Sequence, residues 1–202
     1  MKPRWKLMVL AVVTAIAVVS LAGVASAAGA WDKNGASMQG ERGRSARPDG
    51  RGATTATSLS VEMAEQIVFM REEEKLARDV YTFLFEKWGA EEFKNIANSE
   101  SRHMTRVEVL IDRYGLEDPV TTDVPGEFKN QDLQAVYDSM IAQGSRSLEE
   151  AYRVGVAIEE LDIADLKAAL AEATPRDVGR VFQNLLRGSE RHLAAFTRLL
   201  NR

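Results

Sequence analysis

From about residue 60 onward, apolar side chains return every three or four positions, the spacing of one face of an α-helix. Stepping from Ile67 gives Met70, Glu74, Ala77, Tyr81, Leu84 and Trp88. Stepping from Phe93 gives Ile96, Glu100, His103, Val107, Leu110 and Tyr114. A third stripe reads Leu148, Tyr152, Gly155, Glu159, Asp162, Leu166 and Leu170. A fourth reads Val178, Phe182, Leu185, Ser189, His192, Phe196 and Leu199. No strand-like alternation and no Gly-rich phosphate loop accompanies them. The pattern predicts four long amphipathic helices that share one core.

Breakers set the expected ends. The first helix runs from about Ser60 to Lys87 and stops at Gly89, a C-terminal glycine. The Gly89-Ala90 turn opens a second helix, which ends near Tyr114-Gly115 and lies antiparallel to the first. Leu116 to Lys129 is irregular, with Asp118-Pro119 and Pro125-Gly126 as breakers. A short extra helix follows, about Gln131 to Gln143, and this block is long enough to carry a crossover. Ser147 with Glu150 reads as a capping box for the third long helix. Thr174-Pro175-Arg176-Asp177 reads as the start of the fourth, with Thr as N-cap. Gly188 sits inside that helix, at a cost of about 1 kcal/mol relative to Ala. Either a local kink or the close approach of a neighbour would explain it.

The polar members of the stripes change the picture. Glu100 and His103 stand at i, i+3 on a core face, where a lone carboxylate is costly. The chain has only two histidines, and the second, His192, also falls on a core stripe, three residues after Ser189. Glu74 is the inward acid of the first helix. Its neighbours Glu72 and Glu73 lie about 200° and about 100° away round the helix and are expected in solvent. On the third long helix Glu159 is preferred over Glu160, whose stripe holds Arg153 and Lys167, but both stay open. Four helices that each turn polar groups inward form the architecture of a carboxylate-bridged di-iron bundle.

Composition bounds the rest. The 202 residues contain no Cys, which excludes disulfides, thiolate metal sites and lipid attachment at cysteine. The net charge of −4 gives no sign of a nucleic-acid protein. Residues 1–27 read as a secretory signal: Lys2, Arg4 and Lys6, an apolar run from Leu7, then Ala25-Ser26-Ala27. The alternative is an uncleaved membrane anchor. Residues 28–57, rich in Gly, Ala, Ser and Arg, read as a flexible linker, and residues 58–202 as one domain. The expected location is outside the cytoplasm: periplasmic, cell-wall-associated or extracellular.

These residues carry a resemblance. Glu74 to Tyr81, with Ala77 and Val80, resembles the first-helix motif of ferritins, Glu-x-x-Ala-x-x-Val-Tyr, and Glu100 to His103 resembles their second-helix Glu-x-x-His. More closely, Arg71 to Tyr81, Ile158-Glu159-Glu160-Leu161-Asp162-Ile163 and Leu186-Arg187-Gly188-Ser189 with His192 resemble the ferritin-like domain of unknown function 2202. The resemblance spans about Leu59 to Leu200. It implies an all-α, ferritin-like four-helix bundle with a short helix in the crossover, and a metal site. It supplies no substrate.

On that basis Glu74 would be a terminal ligand, Glu100 a bridge between two ions, and His103 a ligand of the first ion. Glu159 or Glu160, with His192, would hold the second. Tyr81 and Asp162 would support the site from behind, Asp162 by a hydrogen bond to a ligating imidazole. Ser189 departs from the pattern, because a second bridging Glu is expected there. Glu190 does not replace it, pointing about 200° away from His192. Three carboxylates leave two divalent ions with net positive charge, so the second site is expected to be the weaker.

The leading expectation is a non-haem di-iron, or iron/manganese, redox protein that reacts with dioxygen or peroxide. Another divalent transition metal is an alternative. So is a metal-binding or metal-buffering bundle without turnover, or a scaffold that acts through its surface. Expected partners are metal ions and dioxygen or peroxide, with no nucleic acid, no stable membrane association after signal cleavage, and a homodimer left open.

Overall fold

The computed structural model describes residues 59–172 and 174–202. The expected signal peptide and linker lie outside the described residues. Within them the chain is all-helical, with five helices and no strand: α1 (Val61–Trp88), α2 (Glu91–Tyr114), α3 (Gln131–Gly144), α4 (Leu148–Ala171) and α5 (Arg176–Leu200).

The helix ends follow local chemistry. The Ser60 hydroxyl accepts from the Met63 N–H at 3.1 Å, and α1 stops at Gly89, whose φ of 67° suits a residue without Cβ. Ser147 caps α4 by accepting from the Glu150 N–H at 3.1 Å. The reciprocal half of that capping box does not form, because the Glu150 carboxylate takes the Gln143 amide at 2.9 Å instead. Thr174 corrects the sequence expectation. Its hydroxyl donates backward, to the Ala169 carbonyl at 2.9 Å, so it closes α4 rather than capping α5.

The four long helices form a ring of neighbours: α1 packs on α2, α2 on α5, α5 on α4, and α4 on α1. One apolar cluster joins Ile67 and Met70 to Val107, Leu110, Leu166, Val178 and Phe182. The other joins Tyr81 and Leu84 to Phe93, Ile96, Val154, Ile158 and Phe196. The first half of α1 thus meets the second halves of α2 and α4, which makes ring neighbours antiparallel. The inward polar residues fall between the two clusters. In energetic terms, apolar burial on both sides, at about 25 cal/mol per Å², holds a polar layer that could not hold itself.

Helix α3 lies against α1 and α4, and with the loop before it covers a second face of α1. That face overturns one expectation. Residues 69–77 of α1 are all buried, Glu72 and Glu73 included. Glu72 Oε1 accepts from the backbone N–H groups of Lys129 at 2.6 Å and Asn130 at 3.2 Å, anchoring the start of α3. Arg71 donates to the Met104 carbonyl at 2.8 Å and pairs with Asp118 at 3.1 Å. Lys75 meets Asp79 at 2.6 Å and the Val124 carbonyl at 2.8 Å, and the Gly126 N–H donates to Asp79 at 2.9 Å. A row of charges one turn apart along α1 therefore pins the crossover. Replacing Glu72 with Ala is expected to lower unfolding stability in urea by about 1.5–3 kcal/mol, the worth of hydrogen bonds to a charged acceptor. A change below about 0.5 kcal/mol would show that the anchor contributes nothing.

Candidate metal centre

Each long helix delivers one or two polar groups to the layer between the clusters: Glu74 from α1, Glu100 and His103 from α2, Glu159 and Asp162 from α4, Ser189 and His192 from α5. All seven are 9 % exposed or less. Glu100 stands at the middle. Its Oε2 lies 2.7 Å from His103 Nδ1 and its Oε1 lies 2.7 Å from His192 Nδ1. Glu74 Oε2 adds a contact of 3.2 Å to His103 Nδ1, and Glu159 Oε2 one of 3.7 Å to His192 Nδ1. The two imidazole rings face each other with centroids 5.9 Å apart.

Two donor sets result, Glu74–Glu100–His103 and Glu100–Glu159–His192. Within each, one ligand atom per residue lies within 4.8 Å of the others. An ion about 2.1 Å from each of two opposed donors separates them by about 4.2 Å, so the sets fit a transition-metal ion with little adjustment. The orphaned atoms agree. Glu74 Oε1, Glu100 Oε1, Asp162 Oδ1 and His192 Nδ1 are buried without a hydrogen-bond partner. The Glu100–His192 contact has ion-pair length without N–H···O alignment. Carboxylate and imidazole donors together suit iron, manganese and zinc.

Electrostatics follow burial. Desolvation, then Asp162 and Glu100 nearby, push the Glu74 carboxyl well above its usual range. Burial raises Glu159 to about 7 although His192 pulls the other way, and burial with the charge of Glu159 raises Asp162 to about 8. Glu100 is the exception. Burial would raise it, but the flanking imidazoles hold it at about 2. His192 answers, raised to about 9 by Glu100 and Glu159 against its own desolvation.

Supporting contacts are specific. The Tyr81 hydroxyl donates to Glu159 Oε1 at 2.6 Å while its ring packs 5.3 Å from that of Phe196. Asp162 accepts its hydrogen bond from Ser189 rather than from an imidazole N–H, a different partner from the expected one. Gly188 is explained by close approach: a Cβ there would meet His103 Cε1 at 2.4 Å and Nε2 at 2.6 Å, and α5 runs through it unbroken. The structure brings Glu159, not Glu160, to the cluster. Glu160 is on the exposed face, one position too far round α4. Glu190 is exposed as well, 3.8 Å from Lys167.

Sequence reasoning missed Glu73 and Asp165. Both are buried, at 3 % and 4 % exposure, and their carboxyls bond to each other with no other donor to any of the four oxygens. Desolvation, then Asp165 and Asp162, raise Glu73, and burial raises Asp165 to about 6. The available signal was the run of apolar residues off the main stripe of α1 (Phe69, Leu76, Val80), which marks a helix covered on a second face.

An all-helical chain with buried acidic and histidine groups that could hold metal is the class defined so far. The chain belongs to the family described as "Uncharacterized protein domain (DUF2202)", whose model matches residues 63–202. It is 44 % identical over 143 residues to "Uncharacterized protein MJ0754" of Methanocaldococcus jannaschii, covering 71 % of this chain and 77 % of that one. It is also similar to the crystal structure of hypothetical protein MJ0754 from Methanococcus jannaschii, with a TM-score of 0.70 over 71 % of this chain and 82 % of that chain.

Proposed function

We propose that this protein is a ferritin-like four-helix-bundle metalloprotein that binds two transition-metal ions, iron foremost, and reacts with dioxygen or peroxide. The observation that carries this reading is the pair of buried donor sets sharing Glu100. Glu74 and His103 would hold one ion, Glu159 and His192 the other, and Glu100 both. Ions bound there would supply electrons to a small oxidant. The protein's own part is to fix the donors, to orient Glu159 through the Tyr81 hydroxyl, and to keep bulk water out between two apolar clusters. Manganese fits the same donors.

One observation favours a second reading, metal storage or buffering without turnover. The cavity against Glu73, Glu74, Glu100, Glu159 and Asp162 is small and otherwise lined by Leu76, Ala77, Leu133, Ile158 and Leu161. Its size favours reactants no larger than dioxygen or peroxide, or none, over an organic substrate. Export, from the expected signal in residues 1–27, belongs to the same proposal and is tested by cell fractionation.

Elemental analysis of protein purified from its native compartment is expected to give iron or manganese near two per chain. Peroxide consumption by the loaded protein is expected to exceed that of free metal. Metal without consumption supports the buffering reading, and no bound transition metal overturns both.

A further inference from the structure

We propose that Asp162 is the fourth carboxylate of the metal centre, standing in for the Glu that a second Glu-x-x-His pair would place at position 189, and that the Ser189 hydroxyl aims it. This rests on the two-ion reading above.

Helix α2 presents Glu100 three residues before His103, and α5 presents Ser189 three residues before His192. Residues three apart are neighbours on one helix face. The second pair therefore offers a hydroxyl where the first offers an acid. The acid is instead on α4, three residues after Glu159. Asp162 Oδ2 is in hydrogen-bond contact with Ser189 Oγ, and Ser189 is itself fully enclosed at 1 % exposure. The other oxygen, Oδ1, is buried with no partner. Asp162 lines the same cavity as Glu74, Glu100 and Glu159, one carboxylate from each donor set and the one they share; Glu73 borders it too, but its carboxyl is bonded to Asp165. A buried carboxylate with one oxygen fixed and the other free, on a cavity with four more acids, is costly until a cation joins it.

Charge points the same way. Glu74, Glu100 and Glu159 contribute three negative charges against the four positive charges of two divalent ions. Asp162 completes the balance without hydroxide or oxide from solvent. It also removes the reason for a weak second site. A Glu at 189 would now have to share space with the Asp162 carboxylate, so this substitution is expected to weaken binding rather than strengthen it.

The test is titration of metal-free protein with Mn²⁺ under anaerobic calorimetry, alongside thermal melts of the metal-free forms. The natural protein is expected to bind two ions per chain. Asp162→Asn, nearly isosteric, is expected to keep its fold, to melt no lower without metal, and to weaken one ion at least tenfold. Ser189→Ala is expected to weaken the same ion several-fold while both ions still bind. Ser189→Glu is expected to weaken it too. Asp165→Asn, which neutralises another buried acid of α4, is expected to leave both ions unchanged. Two ions bound with unaltered affinity by Asp162→Asn would overturn the assignment, as would tighter binding by Ser189→Glu. If Asp162→Asn does not fold, the two Ser189 variants decide the question. A natural protein that binds fewer than two ions overturns the two-ion reading itself, and the assignment with it.

Discussion

Replacing Glu100 with Gln is expected to remove both metal ions at once, the largest single effect on binding anywhere in the chain. Glu100 alone touches both imidazoles, at 2.7 Å on each side, and belongs to both donor sets. Losing it takes from the Glu74–His103 and Glu159–His192 pairs the carboxylate they share. Outer partners of metal ligands cost roughly 10–100-fold in affinity when removed, and a shared ligand should exceed that for both ions. Glu74→Gln and Glu159→Gln are each expected to affect one ion. Glu160→Gln and Glu190→Gln, both on exposed faces, are expected to affect neither. The same series has a stability readout. At metal concentrations about a hundredfold above Kd, each ion adds about 2.7 kcal/mol to unfolding stability. The natural protein should therefore melt at higher temperature with metal, and Glu100→Gln should not respond. Stoichiometry from calorimetry with melting curves measures both. Retention of even one tight ion in Glu100→Gln would show that the two sets do not depend on a common bridge.

The second large effect is expected at a residue outside the metal centre. Lys75→Met should destabilise the protein by about 3 kcal/mol, the lower end of the cost of breaking a buried ion pair. The Lys75 ammonium is 1 % exposed, lies 2.6 Å from Asp79 and 2.8 Å from the Val124 carbonyl, and sits over the Phe128 ring at 4.5 Å. Met fills much of the same volume but strands the Val124 carbonyl and leaves Asp79 Oδ2 with the Gly126 N–H alone. The loss stays near the lower end because Arg78 and the Gly126 N–H still face Asp79. The double variant Lys75→Met/Asp79→Leu is expected to lose less than the sum of the two single losses, since the Lys75–Asp79 pair is counted in both. Urea unfolding of the single and double variants measures the coupling. Additive losses would mean that the pair is energetically independent despite its contact.

Helical phase carries much of the candidate site. Glu74, Glu100, His103, Glu159 and His192 sit on stripes whose other members are apolar, and a helix has one core face when neighbours cover it on one side. Any sequence with that spacing must turn those residues inward or expose the whole stripe. The same reasoning separates Glu159 from Glu160 and sets Glu190 outside, because one residue is a rotation of about 100°. The glycine stops at Gly89 and Gly115 were legible because left-handed backbone is cheap only without a Cβ.

What the tertiary structure alone decided begins with Glu72, Glu73, Lys75 and Asp79. A single-face rule puts them in solvent, but α3 and the loop before it cover a second face of α1, and periodicity along one helix carries no information about a segment some fifty residues away. Thr174 fell to the same limit: the hydroxyl could serve the helix before or after it, and only the Ala169 carbonyl within reach chose between them. Gly188 needed its neighbour as well, since the reason for the missing side chain is an imidazole on another helix. Ser189 is the clearest case. The sequence by itself determined that a carboxylate is absent at that position. That Asp162, from α4, comes to the Ser189 hydroxyl depends on how α4 and α5 are registered against each other, which packing sets and one-dimensional spacing does not.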